Sequence, residues 1–408
     1  MILAALLLAA EPGPATAVEA ERAFAADALD HGQWQAFATW AAEDAVLVGR
    51  TVVGARALAT VLAAQGEPEQ AIRWWPTLGI TSCDGAFAIN SGPYVDPGSN
   101  GVGRFHTGWR KGEEGWRYIL DMGMEADAPV TGPVESPAIA CTDLPAYEPP
   151  ITFEAERASG GIAMSPDASL KWEWRIGQWD DEMAPHRLFR AWAWDGAAYA
   201  PLIETLRPIA DGSGNRTVSA VQAEVAMAAL AEHAGQWAAL DAFGDDETVM
   251  LASTIQNIRK RAAHDAALPE PPPPAPRWWP LESHVSCDST LALNTSGWRM
   301  HDGGYGLLYT LWTRPDTAAG WTLEAIVPAN GEPGAPGNLP DPVVAACQGT
   351  PPPVEPRSLA PVEERQFASA DGTMTVVWSY ELMQPIPRLH VHQWDGTTRA
   401  LTLDIRVQ

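Results

Sequence analysis

The sequence is poor in positive charge and in cysteine, and each shortage excludes a class of function. Its 408 residues carry 26 basic and 51 acidic side chains, so the formal net charge is −25. A surface this negative repels phosphate backbones, and we expect no nucleic-acid partner. The four cysteines and nine histidines form no Cys-x-x-Cys or His-Glu-x-x-His motif. The sequence therefore predicts neither a bound metal nor a cofactor. It also lacks a nucleophile elbow and a phosphate-binding glycine loop.

Long apolar runs are missing as well. The apolar run at the start, Met1–Ala10, is too short to cross a bilayer, which takes about 20 residues. It suits the hydrophobic part of a signal peptide, and Ala15-Thr16-Ala17 has the small-x-small pattern of a cleavage site. We therefore predict a signal peptide over residues 1–17, a periplasmic or secreted location, and no stable membrane insertion after its removal. A buried N-terminal segment is the alternative.

The four cysteines are consistent with export. Cys83 and Cys141 lie in one half of the chain, and Cys287 and Cys347 lie in equivalent places in the other half. The simplest pairing joins Cys83 to Cys141 and Cys287 to Cys347. Structural disulfides in an oxidising compartment explain this arrangement best, and buried free thiols are the alternative.

An internal repeat organises the whole chain. Many segments recur at an offset of about 200 residues, which indicates two diverged copies of one unit. The clearest matches are Gly32-Gln33-Trp34 with Gly235-Gln236-Trp237, Arg73-Trp74-Trp75-Pro76 with Arg277-Trp278-Trp279-Pro280, Ser82-Cys83-Asp84 with Ser286-Cys287-Asp288, and Trp194-Asp195-Gly196 with Trp394-Asp395-Gly396.

Within each copy, helical periodicity gives way to strand patterns. In copy one, helices are predicted over 18–31, 34–41 and 55–64, and strands over 87–91, 104–110 and 115–122. The predicted fold class is α+β, with two tandem helix-covered curved antiparallel sheets (cone-like), each followed by a small β-meander. The predicted domains are a cone over 18–145, a meander over 151–207, a second cone over 216–348 and a second meander over 356–408.

These motifs resemble a known superfamily. Three helices, then Trp74-Trp75-Pro76, then a strand ending in Asn90-Ser91-Gly92, then a hairpin with Trp109 and Gly115-Trp116, look like the nuclear transport factor 2-like (SnoaL-like, cystatin-cone) fold. The similarity is to exported bacterial members of unassigned function, in the broad group that includes ketosteroid isomerase. Members include isomerases, dehydratases, cyclases and proteins without chemistry, so the resemblance implies a fold and leaves the activity open.

The resemblance also implies where an acid would stand. In such proteins an acid commonly ends the strand after the Gly-Trp turn, and here that residue is Asp121. With His106 it could form a general base and its orienting partner. Trp75, Trp109 and Tyr118 are expected to line the ligand pocket. The alternative is an exposed Asp at a strand end and a partly buried His.

Copy two lacks this pair. It has Ile326 in place of Asp121 and Tyr309 in place of His106. Chemistry of this kind is therefore expected in copy one alone.

Tryptophan is abundant, with 19 residues, and seven pairs occupy equivalent places in the two copies. Rings retained in both copies of a diverged repeat are expected to anchor the fold. Stacking on carbohydrate is the alternative, for which the better candidates are the unpaired Trp40, Trp172, Trp179, Trp192 and Trp298.

The sequence favours a non-catalytic binding or scaffold module, with the two cones packed on each other as an internal pseudo-dimer. Two other hypotheses stay open. One is a SnoaL/ketosteroid-isomerase-like enzyme acting on a small apolar molecule in the copy-one pocket. The other is a protein that binds a glycan through exposed tryptophans.

Overall fold

A computed structural model describes most of the chain, and its contacts divide it into two units. Unit 1 comprises Met1–Tyr94 and Gly103–Gly212, and unit 2 comprises Val95–Val102 and Ser213–Gln408. The described residues are 13–126, 129, 131–179, 184–209, 218–266, 275–352, 363–381 and 384–407. The start of the predicted signal peptide, residues 1–12, lies outside them.

Copy one begins with helices and continues as strands. Its helices are α1 (Ala17–His31), α2 (Gln33–Trp40) and α3 (Ala55–Gln65). Its first sheet, called the main sheet, contains β1 (Ala41–Val48), β2 (Val52–Gly54), β3 (Arg73–Trp74), β4 (Leu78–Thr81), β5 (Phe87–Asp96), β6 (Gly101–Gly112) and β7 (Gly115–Glu125). Its second sheet, the meander, contains β8 (Ile151–Glu154), β9 (Ala158–Met164), β10 (Leu170–Gly177), β11 (His186–Trp194) and β12 (Tyr199–Pro208).

Copy two repeats this order. Its helices are α4 (Ala220–Ala234), α5 (Gln236–Phe243) and α6 (Ile258–Ala266). Its main sheet contains β13 (Gly244–Leu251), β14 (Ile255–Asn257), β15 (Arg277–Val285), β16 (Leu291–Arg299), β17 (Tyr305–Thr313), β18 (Thr322–Ala329) and β19 (Val343–Val344). Its meander contains β20 (Glu363–Ala368), β21 (Met374–Glu381), β22 (Gln384–Trp394) and β23 (Arg399–Arg406).

The predicted fold class is wrong. The protein is mostly β, with 47% of its residues in strands and 18% in helices, and a cone of helix-covered curved sheets is not what it forms. The main sheets are also not antiparallel throughout, because β1 pairs in parallel with β7, and β13 pairs in parallel with β18. The three predicted helices of copy one are present, but the long strands of the main sheets and the meanders contain far more residues than the helices do.

Helix α1 starts at Ala17, one residue before the predicted start. Thr16 is its N-cap, and the Thr16 hydroxyl accepts from the Glu19 backbone N–H while the Glu19 carboxylate accepts from the Thr16 N–H. This capping box satisfies two of the free N–H groups at the helix start. The backbone oxygen of Ala15 also accepts from the Trp116 indole, 3.3 Å away. Cleavage after Ala17 would remove these contacts from the helix.

A β-bulge in the copy-one main sheet decides which side chains face the helices. Gly108 pairs with Leu120, but the next residue, Trp109, pairs with Tyr118, so Ile119 is the extra residue. Such a bulge shifts the alternation of side chains by one position. Tyr118 consequently packs in the core beneath α1 and α2, whereas Leu120 packs in the core against the meander.

Four hairpin turns share one sequence pattern and one geometry. Each begins with Ser-x-Asp, and the serine hydroxyl donates to the aspartate Oδ1 within the turn. The residue after each aspartate has a positive φ of 56° to 70°. The turns span Ser82–Phe87, Ser165–Leu170, Ser286–Leu291 and Ser369–Met374.

These turns join each main sheet to its own meander. In copy two the link is reciprocal, because the Asp288 N–H donates to Asp371 Oδ2 at 3.0 Å and the Asp371 N–H donates to Asp288 Oδ2 at 2.8 Å. In copy one the Asp84 N–H donates to Asp167 Oδ2 at 2.7 Å. Asp84 and Asp288 thus each stabilise their own turn and contact a partner turn.

Both predicted disulfides are present. Cys83 is bonded to Cys141, and Cys287 is bonded to Cys347. Cys83 and Cys287 are the middle residues of Ser-x-Asp turns, so each disulfide is placed where a main sheet meets its meander. Among the described helices, none has the length and apolar character that a membrane span requires.

Candidate functional site

A buried carboxylate lies at the centre of copy one, between α1 and the main sheet. Glu21 on α1 is completely buried, and three N–H donors contact its two oxygens. The Trp74 indole donates to Oε1 at 2.9 Å, the Trp109 indole donates to Oε2 at 2.7 Å, and the Asn90 amide donates to Oε2 at 3.2 Å. Asn90 also donates to the backbone oxygen of Ala17 at 2.8 Å, so it satisfies a backbone group of α1 as well.

Copy two has an equivalent buried carboxylate, and its hydrogen-bond donors are partly different. Glu224 on α4 is also completely buried. The Ser296 hydroxyl donates to its Oε1 at 2.7 Å, and the Asn294 amide and the Trp312 indole donate to its Oε2 at 3.3 and 3.2 Å. The Thr310 hydroxyl also donates to Oε2. A carboxylate satisfied entirely by side chains of its own unit is therefore a property of both copies.

Burial and hydrogen bonding shift the pKa values of these two acids in opposite directions. Burial raises the pKa of Glu21 to about 7, although the indole of Trp109 opposes the shift and the charge of Asp121 adds to it. Burial likewise raises the pKa of Glu224, against the hydrogen bonds from Thr310 and its other donors. Glu21 therefore changes charge near neutral pH inside a closed aromatic core.

Asp121 faces the same side of the sheet as Glu21. The bulge at Ile119 turns Asp121 toward the helices, and its Oδ2 accepts from the Thr107 hydroxyl at 2.8 Å. Asp121 is partly buried, and burial raises its pKa to about 6 against that hydrogen bond. In copy two, Thr310 pairs with Ile326 and gives its hydroxyl to Glu224 instead. Copy one thus has a second acid where copy two has an apolar side chain.

The structure does not bring His106 and Asp121 together. Asp121 is paired across the sheet with Thr107, the neighbour of His106, so the two side chains lie on opposite faces. His106 is completely buried toward the meander, where its Nε2 lies 3.1 Å from the Thr205 hydroxyl and its ring stacks on Phe189 with centroids 4.5 Å apart. Burial, with a smaller effect from Arg104, lowers the pKa of His106 to about 3. His106 is therefore a neutral core residue.

The three predicted pocket residues are all buried. Trp109 and Tyr118 are fully inaccessible, and Trp75 is 4% exposed. The phenol of Tyr118 donates to the backbone oxygen of Phe37 at 2.7 Å, and its ring stacks on Phe24. These rings occupy the space in which a ligand pocket was expected.

Of the tryptophans suggested for carbohydrate stacking, Trp172 is part of the core, whereas Trp40, Trp179, Trp192 and Trp298 are half-buried. Trp172 is 5% exposed and stacks on Phe87, with ring centroids 4.0 Å apart. Trp174, which shares its strand face, packs against the same core. The Trp40 indole donates to Asp27 and the Trp298 indole to the backbone of Leu307.

Sequence reasoning missed Glu21 and Glu224, although the repeat contained the signal. Both residues are acids within the apolar face of the first helix of a copy, in the matching segments Ala20-Glu21 and Ala223-Glu224. An acid on a buried helix face in both copies predicts a shared set of donors. No three His, Cys, Asp or Glu side chains within the described ranges are grouped so that they could hold a metal ion.

Comparison with known proteins gives only distant similarities. No protein-family model matches the chain. No curated protein matches it either. A solved chain from Xanthomonas campestris, described as a calcium/calmodulin dependent protein kinase II association domain, is 20% identical over 29% of this chain and 93% of that one, with a TM-score of 0.22. A periplasmic gluconolactonase from Pseudomonas aeruginosa is 11% identical over 88% and 89% of the two chains, with a TM-score of 0.13. The WD40 domain of SCAP from fission yeast is 7% identical over 84% and 65%, with a TM-score of 0.12.

Proposed function

We propose that this chain is a non-catalytic binding or scaffold protein of the periplasm or the extracellular space. We further propose that its two halves are nuclear transport factor 2-like repeats, a proposal supported by the order of elements in each copy, in which two helices, two strands and a third helix precede the remaining strands. Two disulfides support the location, because such bonds persist in oxidising compartments. The proposal rests on the buried, hydrogen-bonded carboxylate found in each copy, Glu21 in copy one and Glu224 in copy two.

The donors around these carboxylates argue for a structural role. Each oxygen of Glu21 and of Glu224 already accepts at least one hydrogen bond from its own unit. A substrate atom would have to displace an indole or a hydroxyl to reach the acid. Residues that act in this way hold helices on a sheet, and both copies need them in order to fold.

Matched tryptophan variants test this role. Trp109→Phe and Trp312→Phe each remove one indole donor from a buried carboxylate while keeping an aromatic ring. We expect both to lower the free energy of unfolding by about 1–3 kcal/mol, measured by urea unfolding. Trp34→Phe, a change in a partly exposed ring on α2, is the control with a small effect. A stability loss in Trp312→Phe alone would contradict a structural role shared by the two buried carboxylates. It would indicate that Glu21 of copy one has a function other than stabilising the fold.

One observation favours a second candidate function. Asp121 occurs only in copy one, is partly buried, and shares a face with Phe105 and Tyr118 in an aromatic core. It could serve as a general base toward a small apolar molecule. Screening small apolar carbonyl compounds by thermal shift tests this role. A compound that stabilises the wild type and not Asp121→Asn supports it, and equal shifts in both proteins contradict it.

The association of the two copies as an internal pair stays a prediction. Its test is to express the halves separately, divided near residue 213, and to measure by analytical ultracentrifugation whether they bind each other. Two halves that sediment independently at micromolar concentration would contradict it.

A further inference from the structure

Unit 2 contains a short hairpin segment of copy one in addition to copy two. This segment, Val95–Val102, joins β5 to β6 and is grouped with Ser213–Gln408. We call it the β5–β6 tip. Polar residues at the tip of a hairpin are usually exposed to solvent. Asn100, in the middle of the connection, is only 1% exposed, so the tip is packed against something.

The Asn100 side chain binds both backbone groups of one residue, Trp321. Its amide N–H donates to the Trp321 oxygen at 3.0 Å, and its amide oxygen accepts from the Trp321 N–H. An amide suits this contact because it offers one donor and one acceptor side by side. Gly320 lets the tip come this close, since a Cβ at Gly320 would clash with the backbone oxygen of Gly98.

Other residues of the tip hold Asn100 in the conformation that this contact uses. Asn100 has a φ of +55°, a left-handed conformation that asparagine tolerates better than most residues do. Its amide also donates to the Pro97 oxygen at 3.2 Å. The Asp96 carboxylate accepts from the Gly98 N–H at 3.0 Å and from the Ser99 hydroxyl at 2.6 Å. The tip is therefore ordered by its own contacts and loses little conformational freedom when it binds.

Trp321 connects this contact to the first helix of copy two. Its indole donates to the Val218 oxygen at 2.8 Å, directly before Ser219, which is the N-cap of α4. The guanidinium carbon of Arg314 lies over the ring, 4.2 Å from its centroid. A displacement of the Trp321 backbone would therefore disturb the start of α4 as well.

The two copies differ in how they satisfy the backbone at this tryptophan. In copy one, the Trp116 oxygen accepts from the guanidinium of its neighbour Arg117 at 3.0 Å. Copy two has Thr322 in place of Arg117 and so lacks that donor. Conversely, the hairpin of copy two that matches the β5–β6 tip, residues 299–305, contains no asparagine, and residues 301–305 are exposed. The contact is therefore specific to one tip and one turn.

We propose that the β17–β18 turn of copy two, residues 314–321, is a docking site for the β5–β6 tip, and that Asn100 stabilises the start of copy two through Trp321. The occupant is a segment of the same chain. Its effective concentration is high for that reason, and docking does not require that the separated copies bind each other. The carboxylates Glu21 and Glu224 take no part, so the proposal goes beyond the scaffold role.

The first experiment measures hydrogen exchange residue by residue in the full chain. Asn100→Gly removes both hydrogen bonds to Trp321 and keeps a residue that adopts positive φ. We expect the Trp321 N–H to exchange at least about tenfold faster in this variant, which corresponds to ~1.4 kcal/mol, and the first turn of α4 to exchange faster with it. Asp143→Gly, at an exposed residue with a φ of +52°, is the control and should change neither rate.

The second experiment tests whether the turn binds the tip as a separate molecule. In a shortened full chain, a two-residue Gly-Gly turn replaces residues 97–100. The probe is a peptide with the sequence of residues 95–102, closed by a disulfide between added terminal cysteines. We expect it to bind the shortened chain and to slow the exchange of the Trp321 N–H. The same peptide carrying Asn100→Gly should not bind, and neither peptide should bind the wild type, whose site is filled.

Several outcomes would overturn the proposal. One is equal exchange of the Trp321 N–H in Asn100→Gly and in the wild type. Another is faster exchange confined to Trp321, because it would show a hydrogen bond that does not stabilise α4. A third is a shortened chain that is folded by circular dichroism and binds neither peptide, or both equally. If the shortened chain does not fold, the exchange rates of Asn100→Gly decide the question.

Discussion

The buried acid Glu21 predicts that copy one loses stability as the pH rises through neutrality. Its pKa in the folded protein is raised to about 7, against 4.5 for an ordinary glutamate. The protonated form is therefore favoured by folding. The resulting stabilisation is fully present below pH 4.5 and is lost as the pH rises through 7.

The size of the effect follows from the shift. One pKa unit corresponds to about 1.4 kcal/mol, so the whole loss is about 3 kcal/mol, most of it between pH 5 and 8. Glu21→Gln removes this titration. A glutamine must also turn its amide N–H₂ toward either the Trp74 or the Trp109 indole, both of which are donors. That mismatch costs about 1–3 kcal/mol at every pH.

Urea unfolding at pH 5, 6, 7 and 8 measures the prediction. The wild type should be more stable than Glu21→Gln at pH 5, and the difference should shrink by roughly 3 kcal/mol by pH 8. Glu43→Gln, a change of an exposed carboxylate on β1, is the matched control and should follow the wild type at each pH.

Asp121 provides a second check, because its charge contributes to the raised pKa of Glu21. Asp121→Asn should move the loss of stability to lower pH. The reasoning is refuted if the wild type and Glu21→Gln change in parallel between pH 5 and 8. That result would mean that Glu21 stays in one protonation state throughout this range.

Three further predictions concern the turns and the helix start, and urea unfolding measures each of them. Ala168 has φ +60° at a position where two of the other three Ser-x-Asp turns have glycine and the third has Ser289. Ala168→Gly should therefore raise the unfolding free energy by up to about 1 kcal/mol, and a lower unfolding free energy would contradict backbone strain at this position. Asp371→Ala removes the acceptor of the Asp288 N–H and should cost about 2 kcal/mol, whereas no change would show that the paired turns are dispensable. Thr16→Ala should cost about 1 kcal/mol in the protein that retains residue 16. If the N-terminal sequence of the mature protein begins after Ala17, that last effect should vanish.

The repeat allowed the disulfides to be predicted because two equivalent cysteine pairs leave one simple pairing. The same comparison separated His106 and Asp121 from their counterparts Tyr309 and Ile326. It did not show that the side chains of His106 and Asp121 lie on opposite faces of the sheet. Asp121 is paired with Thr107, the neighbour of His106, so a shift of one residue in the pairing would place the two side chains on the same face. Register depends on the pairing of β6 with β7, which is a tertiary property.

The fold class was misjudged for a related reason. The sequence of α1 has helical periodicity and a capping box, so local residues specify this helix. Strands β3, β4, β8 and β9 are short or weakly patterned, and their formation depends on neighbouring strands. The parallel contact of β1 with β7 joins segments far apart in the chain. Nothing local in either segment specifies such a pairing.

The sequence by itself determined the duplication, the disulfides, the first helix and the retention of paired tryptophans, because these depend on residue identity and spacing. Only the tertiary structure decided what those tryptophans contact. It placed the indoles of Trp74 and Trp109 on Glu21, and that of Trp312 on Glu224. The bulge at Ile119 turned Asp121 toward the helices, and the pairing of β15 with β16 placed Thr295 beside Glu282. Hydrogen bonds between distant segments exist only once the chain is folded, and a linear pattern cannot specify them.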